Sequence, residues 1–229
     1  MPATIRLLST LAVMGGMRDL CEAYRAQSGA IIEADFAPTV ALVQRLRDGE
    51  PADIAILTAQ GIDDMVAAGI MRPGSRTDVA RSFVGVAVKA GAPKPDIATL
   101  DTFKAALLAA RSVCYSRIGA SGLYFAKLIQ DLGIADAVNA KATIASTGFT
   151  AERLVSGEAD LAVQQISELM VVPGIEVVGG LPAAVQTVAI FSAGVLTAST
   201  QPDATADFAE FLASKEAEPV LRRTGLEPA

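Results

Sequence analysis

The chain contains no histidine and no tryptophan, and only 5% of its residues are aromatic. Histidine is the usual general base near pH 7 and a preferred ligand of zinc, copper and iron. Its absence excludes Ser-His-Asp triads, Cys-His pairs, HExxH sites and facial-triad iron sites. Cysteine is scarce too. Cys21 falls in a helical pattern and Cys114 in an apolar strand pattern, without CxxC spacing, so both read as small buried thiols, with a disulfide as the alternative. Positive charge never clusters: 19 Lys and Arg stand against 25 Asp and Glu, a formal net charge of −6 that argues against a nucleic-acid partner. No apolar run approaches the roughly 18 residues a membrane span requires, so no membrane insertion is expected. The opening MPATIRLLST has no basic leader, long apolar core or small-residue cleavage site. The expectation is a cytoplasmic chain, or a periplasmic one whose export leader has been removed.

What is present describes a globular chain. At 229 residues, with 52% hydrophobic and 19% charged residues, it can bury one large core or two small ones. With few aromatics, the core must come from Ala, Val, Leu and Ile, as suits Ala-rich helices packed on Val/Ile strands. Apolar periodicity predicts strands at 4–9, 30–36 and 53–57, alternating with helices at 13–28, 39–47 and 61–68. After a polar stretch, 72–81, a nearly all-apolar strand at 83–89 opens a second series. It has helices at 100–110, 121–132 and 150–156, with strands at 113–116, 142–146, 161–164 and 175–178. A second apolar run, 185–195, precedes tail helices at 204–213 and 215–224. The fold class is therefore α/β: two lobes with mixed, mainly parallel sheets, helices on both faces, and two crossover strands joining them. Lobe one would be 1–82 plus 194–229, and lobe two 83–193. A ligand would sit in the interlobe cleft, where strand carboxyl ends meet helix N-termini.

The residues between a strand's end and the next helix carry the site in such a fold, because free backbone N–H groups and the positive end of the helix dipole converge there. These junctions contain Ser9, Thr10 and Leu11; Thr39; Thr58; Arg81 and Ser82; Arg117, Ala120, Ser121 and Gly122; Thr147 and Gly148; and Gln164 with Gln165. Hydroxyls, amides and arginines recur, and no junction offers a carboxylate. Donors without acids fit an anionic ligand and argue against a metal cation. Each residue also has a plain structural reading. Thr10, Thr39, Ser121 and Thr150 are good N-caps, the glycines of RIGASG (117–122) suit a tight turn, and Arg81 or Arg117 could pair with an acid such as Asp78. The Gln164-Gln165 pair ends an apolar strand where a structural pattern would turn to Gly, Asp or Asn. Amides there can donate to a carboxylate and accept from a hydroxyl. With arginines, hydroxyls and amides in place of histidine, anion binding is expected to vary little between about pH 6 and 8.

Over nearly its whole length the chain resembles the periplasmic solute-binding proteins of the molybdate-binding type. The similarity is carried by IRLLSTLAVMGGMRDLCEAYRAQSG, GEPADIAILTAQGIDDMVAAG, VSGEADLAVQQ and DFAEFLASKEAEPVLRRTGLEP. The resemblance implies a type 2 periplasmic-binding fold that closes as a monomer on a small anion, without a cofactor, and delivers it to an ABC permease. It places the first junction hydroxyl on Ser9 and the second on Thr39, where Val40 replaces the family's glycine. RIGASG stands for the loop opening a helix of lobe two, and Gln164 or Gln165 for the family's tyrosine. Two arginines and two glutamines suit a larger, flatter carboxylate better than a compact tetrahedral oxyanion.

The stretches VAVKAGAPKPDI, GASG and AVQQISEL also resemble the bacterial aconitate isomerases, enzymes of the same fold that act on a tricarboxylate. That resemblance implies an allylic proton shift, whose base must here be a carboxylate, Lys, Tyr or deprotonated Ser. Tyr115, Tyr124 and Lys127, around RIGASG, are the candidates, with core packing for the tyrosines and a solvated face for Lys127 as the structural alternatives. Binding without chemistry ranks above catalysis.

Overall fold

A computed structural model describes residues 2–229. The chain begins with β1 (Thr4–Thr10), α1 (Met14–Ser28), β2 (Ile31–Ala37), α2 (Thr39–Arg47), β3 (Ile54–Thr58), α3 (Ala59–Ala67) and β4 (Thr77–Lys89). It continues with α4 (Leu100–Ala109), β5 (Val113–Ser116), α5 (Ala120–Asp131), α6 (Ala135–Asn139), β6 (Ala142–Ala145), α7 (Glu152–Val155), β7 (Leu161–Gln165) and α8 (Ile166–Leu169). It closes with β8 (Ile175–Gly180), β9 (Val188–Val195), α9 (Pro202–Leu212), α10 (Glu218–Arg223) and β10 (Glu227–Pro228). No helix among the described residues is long and apolar enough to cross a membrane.

Two compact units divide the described residues: 2–82 with Ala189–Ala229, and Phe83–Val188. The return to the first unit falls at Ala189, where the sequence reading placed it at 194. The reason is pairing, since β9 runs antiparallel to β3 from Phe191 to Val195.

In the first unit β1 lies between β2 and β3, parallel to both. From Leu7 onward a strand so placed is buried, and its apolar side chains alternate between two cores, while Arg6 near its start stays exposed. Ile5 and Leu7 pack with Met17, Leu20, Phe208 and Leu212 on one face, while Leu8 packs with Leu42, Leu46 and Met65 on the other. Helix α1 stops at Gly29, whose φ of 76° lets the chain reverse in the left-handed region.

In the second unit β5 pairs in parallel with β6 and β7, and β4 runs antiparallel to β7 and β8. One face packs Val84, Val86, Tyr115 and Val163 against Phe103, Phe125 and Ile129. The other packs Ala87, Cys114 and Ala162 against Leu154 and Leu169. Small residues on that second face let the short helices α7 and α8 lie close to the sheet.

Strand β4 starts at Thr77, inside the stretch read as polar, because Val79 and Ala80 are buried in the first unit's core. The one-turn helix α8 and the short α6 escaped the periodicity reading, since neither spans enough turns to display it.

Both cysteines are free thiols, Cys114 buried and Cys21 half-buried, and burial pushes each up to about 12. At pH 8 the reactive thiolate is therefore a minute fraction. Native protein treated with iodoacetamide at pH 8 should remain unmodified over an hour, whereas denatured protein should take up two labels by mass spectrometry. Rapid labelling of the native chain at Cys114, located by peptide mapping, would contradict the packing around it.

Candidate functional site

The carboxyl ends of the second unit's parallel strands gather three junctions on one sheet edge. Ser116, the last residue of β5, pairs in register with Ala145 at the end of β6, and β7 runs in the same direction on the other side of β5. Because β4 is antiparallel to β7, Val84 lies opposite Gln165, so the start of that strand's second-unit half reaches the same edge.

After β5 the chain turns through Arg117–Gly119 into α5. The Ser116 hydroxyl accepts the Ile118 N–H at 3.2 Å and holds the turn. Gly119 is the N-cap and has no side chain to offer, and no acid stands in the first turn, so the opening N–H groups of α5 keep their capacity for an anion. Gly122 is dictated by proximity: a Cβ there would lie 1.7 Å from the Ser116 carbonyl oxygen. Only glycine lets this helix start so close to its strand.

The other two junctions form one buried network. The Thr150 N–H and hydroxyl both donate to Gln164 Oε1, at 2.8 and 2.9 Å. Gln165 donates its N–H to Glu168 Oε2 at 3.3 Å. The reciprocal half of that capping box, from the Glu168 N–H to the Gln165 side chain, falls short of hydrogen-bond geometry, and Gln165 Oε1 is buried without a partner. Glu168 itself is 7% exposed. Burial raises its pKa to about 7, against the opposing pull of the Gln165 N–H and the Gln164 side chain, and no charged group contributes to the shift.

Glu168 corrects the reading that these junctions hold no carboxylate. Its signal was in the sequence, as an acid three residues after Gln165 and the single acid of an otherwise uncharged run, LAVQQISELMVV. A second acid, Glu152 at the exposed opening of α7, lies beside Gly148, and Thr147 is exposed on the same loop.

The capping readings also change. Thr10 makes no side-chain cap, α2 is preceded by Pro38 with Thr39 already inside it, Ser121 lies within α5, and Thr150 bonds to Gln164 instead of opening α7. Thr58 does cap, accepting the Gly61 N–H at 3.2 Å.

In the first unit, Ser9 is fully buried and donates to the Thr10 carbonyl at 3.3 Å, and the Thr10 and Thr39 hydroxyls stand 3.5 Å apart. The junctions after β1 and β2 thus bring their hydroxyls together, with the half-buried Leu11 alongside. Ser82 is buried on β4. Arg81 is taken up elsewhere: its Nε donates to the Pro228 carbonyl at 3.1 Å and its other end faces Glu227. Asp78 pairs instead with Arg76 and Ser192, which hold its carboxyl below the usual range.

Arg117 folds back over the Tyr115 ring, 5.8 Å from its centroid, and reaches the Tyr115 hydroxyl at 3.4 Å. The tyrosines and the lysine considered as bases are likewise engaged. Tyr115 is buried in the core and donates to Asn139 at 2.5 Å, Tyr124 donates to the Val185 carbonyl at 2.5 Å, and Lys127 is exposed and paired with Asp131 at 2.6 Å. Burial raises the Tyr124 phenol further from a useful base. No group of three or more His, Cys, Asp or Glu able to hold a metal occurs among the described residues.

Residues 5–227 match the family model described as bacterial extracellular solute-binding protein. The chain belongs to that family. A curated relative, the aconitate isomerase of a Pseudomonas species, is 35% identical over 98% of this chain and 88% of its own length. Among solved structures, the periplasmic molybdate-binding protein of Azotobacter vinelandii aligns with a TM-score of 0.82 at 17% identity, over 97% of this chain and 98% of that one. The sulfate-binding protein of Mycobacterium tuberculosis aligns at 0.79 with 18% identity, over 99% and 87%. The fold of this solute-binding-family chain is that of the periplasmic binding proteins.

Proposed function

We propose that this solute-binding-family chain takes up a small polycarboxylate of the aconitate type, gripped by the strand-to-helix junctions of its second unit. The observation that carries the reading is the donor set on that unit's sheet edge. It comprises the uncapped start of α5 and the side-chain amides of Gln164 and Gln165, the first held in place by Thr150, and the nearby Arg117 supplies positive charge. The relative that shares 35% of its residues acts, by its name, on aconitate, while the molybdate and sulfate binders are less alike in sequence. Arginine and amides grip planar carboxylates at two points, a geometry a compact tetrahedral oxyanion does not exploit. In this reading the chain works in the periplasm as a monomer and passes its ligand to an ABC permease.

A thermal-shift panel over molybdate, tungstate, sulfate, malonate, citrate, and cis- and trans-aconitate tests it. At a hundredfold excess over Kd, the cognate anion should raise the midpoint by about 5–10 °C. The tricarboxylates should give the largest shift. Stabilisation by molybdate or sulfate alone would overturn the polycarboxylate assignment. No shift with any anion would overturn binding.

A second reading, isomerisation of the bound tricarboxylate, is favoured by one residue. Glu168 is a carboxyl on the same edge whose burial tunes it to neutral pH.

A further inference from the structure

We propose that Glu168 is the proton-transfer residue of this site: its carboxylate removes a proton from the methylene carbon of a bound propene tricarboxylate and returns it at the far end of the allylic system. The inference rests on the polycarboxylate reading above and deepens it.

The chemistry requires a base held close to a carbon acid and shielded from water, and a surround that stabilises the electrons left behind. Removing the proton breaks one C–H bond and forms one O–H bond on Glu168. The electron pair spreads over the allylic carbons into the conjugated carboxylate as a dienolate. Reprotonation at the other allylic carbon breaks that O–H bond and restores the Glu168 carboxylate. No electrons are gained or lost overall and no co-reactant is consumed.

Glu168 fits this role by placement. It follows β7 by three residues, at the sheet edge that also holds the open N-terminus of α5, whose dipole favours a developing negative charge. It is held by the Gln165 N–H, and the neighbouring Gln164 amide is itself locked by two bonds from Thr150. A carboxyl oriented through such a buried network keeps its position while it gains and loses a proton. Gln165 Oε1, buried and unpartnered, leaves an acceptor in the same network that the protein itself does not satisfy. With no histidine in the chain and both tyrosines of the α5 region donating to fixed acceptors, Glu168 is the group left with the position and the proton affinity for the task.

The test follows deuterium exchange of trans-aconitate in D₂O by proton NMR, with binding measured separately by calorimetry. Wild-type protein should exchange the methylene protons and produce the cis isomer. Glu168→Gln should lose this activity by roughly a hundredfold to ten-thousandfold while binding trans-aconitate with near-normal affinity. Glu168→Asp, which keeps the acid on a shorter arm, should retain part of the rate. Lys127→Ala should match wild type. The wild-type rate should rise with pH through about 7 as Glu168 ionises, and the residual rate of Glu168→Gln should lack that inflection. Wild-type binding without exchange, or exchange undiminished in Glu168→Gln, would overturn the role of Glu168 and leave the binding proposal standing. Failure of wild type to bind any polycarboxylate would overturn the binding proposal itself.

Discussion

Replacing Glu168 with glutamine should stabilise the protein at pH 8 far more than at pH 5, raising the unfolding midpoint at the higher pH by roughly 5–10 °C. The carboxyl is buried, and burial lifts its pKa from an ordinary 4.5 to about 7 in the folded chain. A group whose folded pKa lies above its unfolded value binds its proton more tightly when folded. The stability it contributes is complete below about pH 4.5, falls as the pH rises from there, and is lost above about pH 7. Across that window the loss is of order 3 kcal/mol, since each tenfold gain in proton affinity on folding corresponds to about 1.4 kcal/mol. Glutamine has nearly the same shape and no proton to lose, so the variant should lack the decline. Thermal unfolding of both proteins at half-unit intervals from pH 4.5 to 8.5 provides the measurement. Parallel curves would show that Glu168 is not held neutral by burial. The composition makes the experiment clean: the chain has no histidine, and both thiols are pushed to about 12.

The second large effect is expected at Gly122. An alanine there would place its methyl 1.7 Å from the Ser116 carbonyl oxygen and 2.6 Å from the carbonyl carbon. Both atoms are backbone and cannot swing aside like a long side chain. The start of α5 must therefore move off β5. Gly122→Ala should destabilise the protein by about 3 kcal/mol, at the upper end of ordinary overpacking costs. It should also weaken anion binding by roughly tenfold to a hundredfold, the worth of one hydrogen bond to a charged group. Gly119→Ala is the control, because a methyl there meets nothing nearer than Ser116 Oγ at 4.0 Å. Denaturant unfolding and calorimetry on the two variants separate the outcomes. Equal behaviour of both alanines would show that the glycine at 122 is not imposed by the close start of the helix.

The alternation of short apolar strands with Ala-rich helices was legible because each element carries its own period over several residues. Strand β5 and helix α2 fall where the periodicity predicts them, β4 starts six residues before its predicted 83–89, and the other long elements shift by one to a few residues at their ends. The junction hydroxyls were legible too, since they follow directly from where strands end. Their partners were not. Whether Thr150 caps a helix or holds Gln164 depends on a loop meeting a strand fourteen residues away in sequence. Whether Arg81 faces a ligand or the chain's own C-terminal strand depends on a contact across 147 residues. Local patterns contain no record of such meetings.

Glu168 shows the division at its sharpest. Its chemical type, its spacing from Gln165 and the uncharged run around it were written in the sequence, as was the lack of any histidine to take its place. An acid in a one-turn helix reads from sequence as an ordinary surface residue. Only tertiary packing of α8 against the small side chains of β4, β5 and β7 takes the carboxyl out of water. That desolvation, a property of the assembled second unit and of no segment alone, turns an ordinary carboxylic acid into one that exchanges its proton near neutral pH.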